Sequence, residues 1–320
     1  MKRRDFIHTT VLAGTIPLCG APIAGTLPIG KTPALSADEQ EVIATALGKK
    51  GAYNEAQATY SVPLPRNDLS VTVKGESIPI PFGFGGWVAF KKTLDGKQTV
   101  MMSDTVLLEG EVNPLIDATH AAELEVGAIH NHFFYEQPRI FYMHVHGMGD
   151  VGELAKKYAQ AIRNTKLFPA NQAPAKSATN APAGNELFDL SALDAVVKYK
   201  GVVNGPTYKY TIGRDDVQIL AMGAEMTAAI GLNSWASFAG KQEAAHIAGD
   251  IAMLEGEVNL VIRALRSHKL EVVALHHHML GEQPRTVFLH YYGAGPATEL
   301  ARGFRAALDQ LGKGQSNGHH

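Results

Sequence analysis

Leu107-Leu-Glu-Gly-Glu-Val-Asn113 recurs as Met253-Leu-Glu-Gly-Glu-Val-Asn259. With the same spacing, Leu124-Glu-Val126 meets Leu270-Glu-Val272, His130-x-His132 meets His276-x-His278, and Glu136-Gln-Pro-Arg139 meets Glu282-Gln-Pro-Arg285. His144, Gly147, Gly149 and Leu154 then meet His290, Gly293, Gly295 and Leu300. So many ungapped matches identify a tandem duplication, which governs every later assignment. Upstream the likeness thins: Arg66-Asn-Asp68 meets Arg214-Asp-Asp216, and Trp87-x-x-Phe90 meets Trp235-x-x-Phe238. Repeat one is read as 36–167 and repeat two as 186–312. Segment 168–185, rich in Ala, Pro, Asn and Ser, reads as a linker, and 313–320 as a polar tail.

Within a repeat the hydrophobic periods predict β-α-β-β-α after an opening helix. Ala37 to Leu47 has a helical stripe behind Ser36, a good N-cap, and Phe188 to Val197 takes the matching place. Tyr53 to Val62, Leu69 to Val73, Gly86 to Lys91 and Val100 to Leu108 read as strands. A helix follows Glu109, with Glu111 and Glu257 at its positive end in the two copies. The closing helix begins at Asp150 and carries Leu154, Tyr158, Ala161 and Ile162 on one face. This order predicts an α+β fold of two pseudo-symmetric repeats, each an antiparallel or mixed sheet with helices on one face. Duplicated domains keep self-complementary contacts, so the repeats are expected to pack on each other.

Charge and composition narrow the function. Lys and Arg total 29 against 31 Asp and Glu, so no basic excess is available to neutralise nucleic-acid phosphates. The single cysteine, Cys19, lies in the amino-terminal segment, which removes disulfides, thiolate zinc sites and thiol catalysis from the body of the chain. Residues 1–30 read as an export signal. Arg3-Arg4 followed by Phe6-Ile7 fits a twin-arginine leader, with an ordinary secretory leader or lipidation at Cys19 as alternatives. A periplasmic or secreted location is expected, with no membrane-spanning segment.

Histidine placement carries the chemistry. On a strand, His130 and His132 share a face, as do His144 and His146. Folding the hairpin about Glu136-Gln-Pro pairs His130 with His144, and in copy two His276 with His290. The expected ligand sets are therefore His130, His132 and His144 in one hairpin and His276, His278 and His290 in the other, with His277 pointing away. Nitrogen donors suit a divalent zinc, copper, nickel or iron ion. Glu136 and Glu282 are candidate catalytic bases, fourth metal ligands or partners that fix an imidazole tautomer, Arg139 and Arg285 candidate anion ligands, and Asn113 and Asn259 further ligand contacts. The competing reading is a metal-free protein that holds a small anionic envelope ligand with its His, Glu and Arg groups. Trp87 and Trp235 read as core residues. No P-loop, dinucleotide fingerprint, Gly-x-Ser-x-Gly elbow or His-Glu-x-x-His helix is present.

The doubled Leu-Glu-Gly-Glu-Val-Asn, His-x-His, Glu-Gln-Pro-Arg and His array resembles the LppY/LpqO family of exported bacterial proteins. The resemblance covers nearly the whole mature chain and implies no established activity. His130-Asn131-His132 keeps that family's pattern, whereas copy two has His277 at the middle position and Tyr292 where copy one has His146.

Overall fold

The computed structural model describes residues 30–167 and 182–313. The segment read as an export signal, most of the segment read as a linker and the tail beyond Lys313 lie outside the described residues. No helix among the described residues is long and apolar enough to cross a membrane.

Repeat one runs α1 (Ala37–Leu47), β1 (Ala52–Asn54), β2 (Thr59–Pro65), β3 (Val71–Val73), β4 (Glu76–Ile78), β5 (Gly85–Lys92), β6 (Thr99–Leu108), α2 (Glu109–Ala121), β7 (Glu125–His130), β8 (Glu136–Gln137), β9 (Ile140–Gly149) and α3 (Val151–Ala161). Repeat two runs α4 (Gly184–Leu187), α5 (Leu190–Val197), β10 (Val202–Asn204), β11 (Thr207–Gly213), β12 (Ile219–Ala221), β13 (Ala224–Met226), β14 (Asn233–Lys241), β15 (Ala244–Leu254), α6 (Val258–Ser267), β16 (Glu271–His276), β17 (Thr286–Gly295) and α7 (Ala297–Leu308). Each repeat forms a six-stranded antiparallel sheet, ordered β1-β2-β5-β6-β9-β7 in one and β10-β11-β14-β15-β17-β16 in the other.

Local chemistry accounts for the boundaries. Ser36 and Glu39 form a reciprocal capping box, and Gly48 ends α1 in the left-handed region at φ 68°. Asp150 accepts from the amides of Gly152 and Glu153 and starts α3. The run from Tyr53 to Val62 is two strands rather than one, because residues 55–58 turn between β1 and β2, which pair antiparallel.

The sheets are covered on both sides. In repeat one, Ile43, Leu47, Leu154 and Tyr158 of the helices pack on Val62, Phe90, Met101 and Leu107. The opposite face meets repeat two. Ala89, Val100 and Met102 share a core with Ile219, Met226, Ile230 and Phe288, while Phe82, Phe133 and Tyr142 share another with Ala239, Ala248 and Tyr292. The result is a helix–sheet–sheet–helix stack whose inner layer is the inter-repeat contact. The small β3–β4 and β12–β13 hairpins are part of that exchange, each packing on the other repeat's sheet.

Candidate metal centre

The inter-sheet face carries the histidines. β7 ends at His130 and β16 at His276, while β9 and β17 present His144 and His290. The pairing is offset by two residues from the expected one. His130 stands opposite Tyr142 and His144 opposite Ala128; His276 stands opposite Phe288 and His290 opposite Ala274. The connection is wider than a tight turn because β8 leaves the hairpin to pair with β3. A shift of two preserves the face, so the His130 and His144 rings remain 5.0 Å apart between centroids. His132 and His278 follow the strands and lie flat on Tyr142 and Phe288, with centroids 3.3 and 3.5 Å apart.

All six rings join one cluster across the repeat interface. His130 Nε2 is 3.1 Å from His290 Nε2, and centroid separations are 3.7 Å for His130–His276, 3.7 Å for His132–His290 and 4.2 Å for His144–His278. Two trios bring ligand atoms within 4.8 Å of one another: His130 with His276 and His290, and His144 with His276 and His278. Both mix the repeats, so one separate trio per hairpin is not the arrangement found. His276 belongs to both trios.

Electronic preparation is visible in the surrounding contacts. His144 and His290 each direct Nδ1 at a backbone carbonyl 3.1 Å away, Ser103 O and Gly249 O, which fixes Nδ1 as the donor and leaves Nε2 with its lone pair. Burial, reinforced by neighbouring imidazoles, pushes His130, His132, His144 and His276 well below the usual histidine range, and takes His290 to about 4 and His278 to about 3. The rings are therefore neutral at neutral pH, as ligation requires. His144 Nε2, His130 Nδ1 and both nitrogens of His132, His276 and the adjacent His146 are buried without hydrogen-bond partners. A buried polar atom left unpaired costs about 1–3 kcal/mol.

Two carboxylates complete the neighbourhood. Trp87, Asp104 and His144 lie side by side across the first sheet, and Trp235, Asp250 and His290 across the second. Asp250 Oδ2 approaches His278 Nε2 at 3.2 Å, off the line of a hydrogen bond, and His290 Nε2 at 3.9 Å. Burial and the Asp250 carboxylate push Asp104 up to about 8. Sequence reading missed this pair, although each acid interrupts a largely apolar strand at the same place in its repeat. The tryptophans are not simply core. Together with Asp104, Asp250 and Lys209, they line a cavity of about 320 Å³ that reaches His132, His278 and His290.

The other expected site residues lie elsewhere. Glu136 and Glu282 are buried at the hairpin connection and accept from the backbone amides of Ile140 and Thr286 at 3.3 and 3.0 Å. Neither lines the cavity or joins a trio. Both carboxylates brace their own turns. Arg139 and Arg285 are exposed, with Arg139 Nε 3.8 Å from Glu136 Oε1. Asn113 and Asn259 are exposed on α2 and α6, helices on the outer layers.

Residues 41–164 and 191–310 match the family described as Domain of Unknown Function (DUF1259). The chain belongs to that family. No curated protein matches it. A solved structure, EtuB from Clostridium kluyveri, aligns over 81% of this chain and 90% of its own at 10% identity and a TM-score of 0.18. In this DUF1259 chain the repeated Leu-Glu-Gly-Glu-Val-Asn segment is architectural. Glu111 Oε2 accepts from Arg66 Nη1 at 2.8 Å and from the Leu108 amide at 2.7 Å, while Arg66 grips Asp68 through two nitrogens. Glu257, Arg214 and Asp216 repeat the arrangement, with Nη1 of each arginine also donating to a strand carbonyl, Val106 or Ala252.

Proposed function

We propose that this protein binds a late transition-metal ion between its repeats, with His276 central and His130, His290, His144 and His278 supplying the other imidazoles. The carrying observation is the set of buried imidazole nitrogens that have no protein partner. Their cost is offset if they share an ion. The 3.1 Å between His130 and His290 Nε2 is close to the roughly 3.3 Å edge of a tetrahedron with ~2.05 Å metal–nitrogen bonds. Neutral nitrogen donors favour zinc, copper, nickel or iron over calcium or magnesium.

A bound ion of this class supplies Lewis acidity, or redox chemistry in the case of copper or iron. The chain's own residues do the rest. Backbone carbonyls of Ser103 and Gly249 orient two rings, Asp104 and Asp250 offset positive charge, and the cavity admits a small molecule to the His278 and His290 side. An exported, periplasmic location, suggested by Arg3-Arg4 and the LppY/LpqO resemblance, belongs to the same reading. The alternative of an anion held by Arg139 and Arg285 has less support, since neither arginine faces the cavity.

Elemental analysis of untagged protein, with thermal unfolding before and after adding zinc, copper, nickel or iron, tests the proposal. A ligand at a thousandfold its Kd stabilises the native state by about 4 kcal/mol, so at least one of these metals raises the Tm by several degrees. Metal-free protein indifferent to all four overturns it.

A further inference from the structure

The cavity beside the histidines does not end at its polar walls. It shares Pro63, Pro81, Gly85, Gly86 and Asn204 with a groove of about 590 Å³, whose apolar lining includes Leu69, Ile78, Ile80, Leu187, Pro65 and Pro206. Four of the groove's prolines, Pro63, Pro65, Pro79 and Pro81, come from repeat one, where the corresponding positions of repeat two hold Thr211, Gly213, Thr227 and Ala229. The duplication alone therefore does not account for the groove. It is a specialisation of one copy, opening onto the site that both copies build.

The two compartments differ in chemistry. In the cavity, Asp104 and Asp250 accept, while Lys209 and the amides of Asn204 and Asn233 donate. Lys209 opposes a cationic head, and the Asp250 carboxylate opposes an anionic one. A group with adjacent hydroxyls, each both donor and acceptor, matches both sets. Trp87 and Trp235 supply flat faces against which the C–H side of a sugar-like ring packs. Each indole also leans across the interface, Trp87 toward Gly231 and Trp235 toward Gly83. A Cβ on Gly231, whose φ is +101°, would meet the Trp87 ring at 3.0 Å. The groove offers no comparable charge and suits hydrocarbon.

We infer that cavity and groove form one site for an amphiphile, a hydroxylated head between Trp87 and Trp235 and an apolar tail along the prolines of repeat one. The inference does not need the metal, and its test is run both with a chelator and with metal-loaded protein. Trp87 and Trp235 are the only tryptophans of the chain, so indole fluorescence reports this cavity directly.

Full-length protein is titrated with methyl β-D-glucoside, with octyl β-D-glucoside below its micelle concentration, and with octanoate. Both glucosides shift the emission. Each buried methylene tightens binding about fourfold, so burial of half the added chain makes the octyl glucoside about a hundredfold tighter than the methyl. Octanoate, whose head meets the Asp250 carboxylate, binds more weakly than octyl glucoside. Combined Ile80→Asn and Leu187→Asn removes most of the octyl advantage and leaves methyl glucoside unchanged; Trp87→Ala weakens both. If the double variant does not fold, a butyl, hexyl and octyl series on the native chain decides by its slope. Equal affinities for methyl and octyl glucoside, octanoate equal to octyl glucoside, or no emission change with either glucoside overturns the inference. None of these outcomes bears on metal content, so the two readings fail separately.

Discussion

Asn131 and His277 occupy the same place in the two repeats, and both bind the hairpin rather than the cluster. Asn131 Nδ2 donates to the Ile140 carbonyl at 2.7 Å, and His277 Nδ1 to the Thr286 carbonyl at 2.7 Å. Different residue types thus meet one structural need. His277→Asn should leave both stability and metal content unchanged, whereas His277→Ala lowers stability by about 1 kcal/mol without metal loss, as denaturant unfolding and elemental analysis would record. His278→Ala, one residue on, should weaken metal binding. A second residue-scale device is Gly127, where a Cβ would fall 2.0 Å from His146 Nε2. The histidine special to copy one is accommodated by that missing side chain. Protonation provides a further test. Burial takes His146 and His290 to about 4 and His278 to about 3, against about 6.5 in the unfolded chain. The folded state therefore binds fewer protons than the unfolded one between those limits. Stability contributed by keeping these rings neutral is present above pH 6.5 and falls as the pH drops toward 4, by up to about 1.4 kcal/mol per pH unit for each ring. Asp104, held up near 8, acts oppositely, its contribution falling as the pH rises from about 4 to 8. With more histidines than raised acids, the Tm of metal-free protein is expected to drop between pH 6.5 and 4; a flat or rising Tm there would refute this balance.

At the scale of elements, the buried Arg66 and Arg214 tie strand ends to the helix that follows. Arg214 is 4% exposed and Glu257 fully buried, so removing the cation strands a carboxylate inside the protein. Arg214→Ala is expected to destabilise by about 3–5 kcal/mol in chemical denaturation, with metal affinity of the surviving native protein unchanged. This scale is also where the sequence was most legible. Ser36 and Asp150 marked two helix starts, and the apolar stripe of Leu154 and Tyr158 marked a buried face. The β-branched, apolar run of β6 placed the strand but not its two surroundings. Met101 and Leu107 face helices while Val100, Met102 and Val106 face the other repeat, and both sets are apolar. The hairpin register lay beyond the pattern, because pairing of β8 with β3 depends on residues some sixty positions upstream.

At the scale of the molecule, the duplication made the fold readable and hid the site. Each repeat carries its own His-x-His and distant His, so a one-repeat reading closes a trio within each hairpin. Packing of the inner faces instead interleaves the rings, and nothing in one repeat states which face its twin will cover. The clue was the apolar character of both faces of β6 and β15, which signals a sheet buried on both sides. Separately expressed 36–167 and 186–312 should associate with each other or aggregate, since each exposes its inner face. Soluble monomeric halves would contradict this packing. The most direct test of a shared centre is the number of tightly held metal equivalents in His276→Ala. That variant keeps His130, His132 and His144 but breaks both mixed trios, so the account predicts loss of essentially all tight binding from the folded protein. Retention of half or more of the native metal content would show that repeat one holds an ion by itself and would contradict the shared centre.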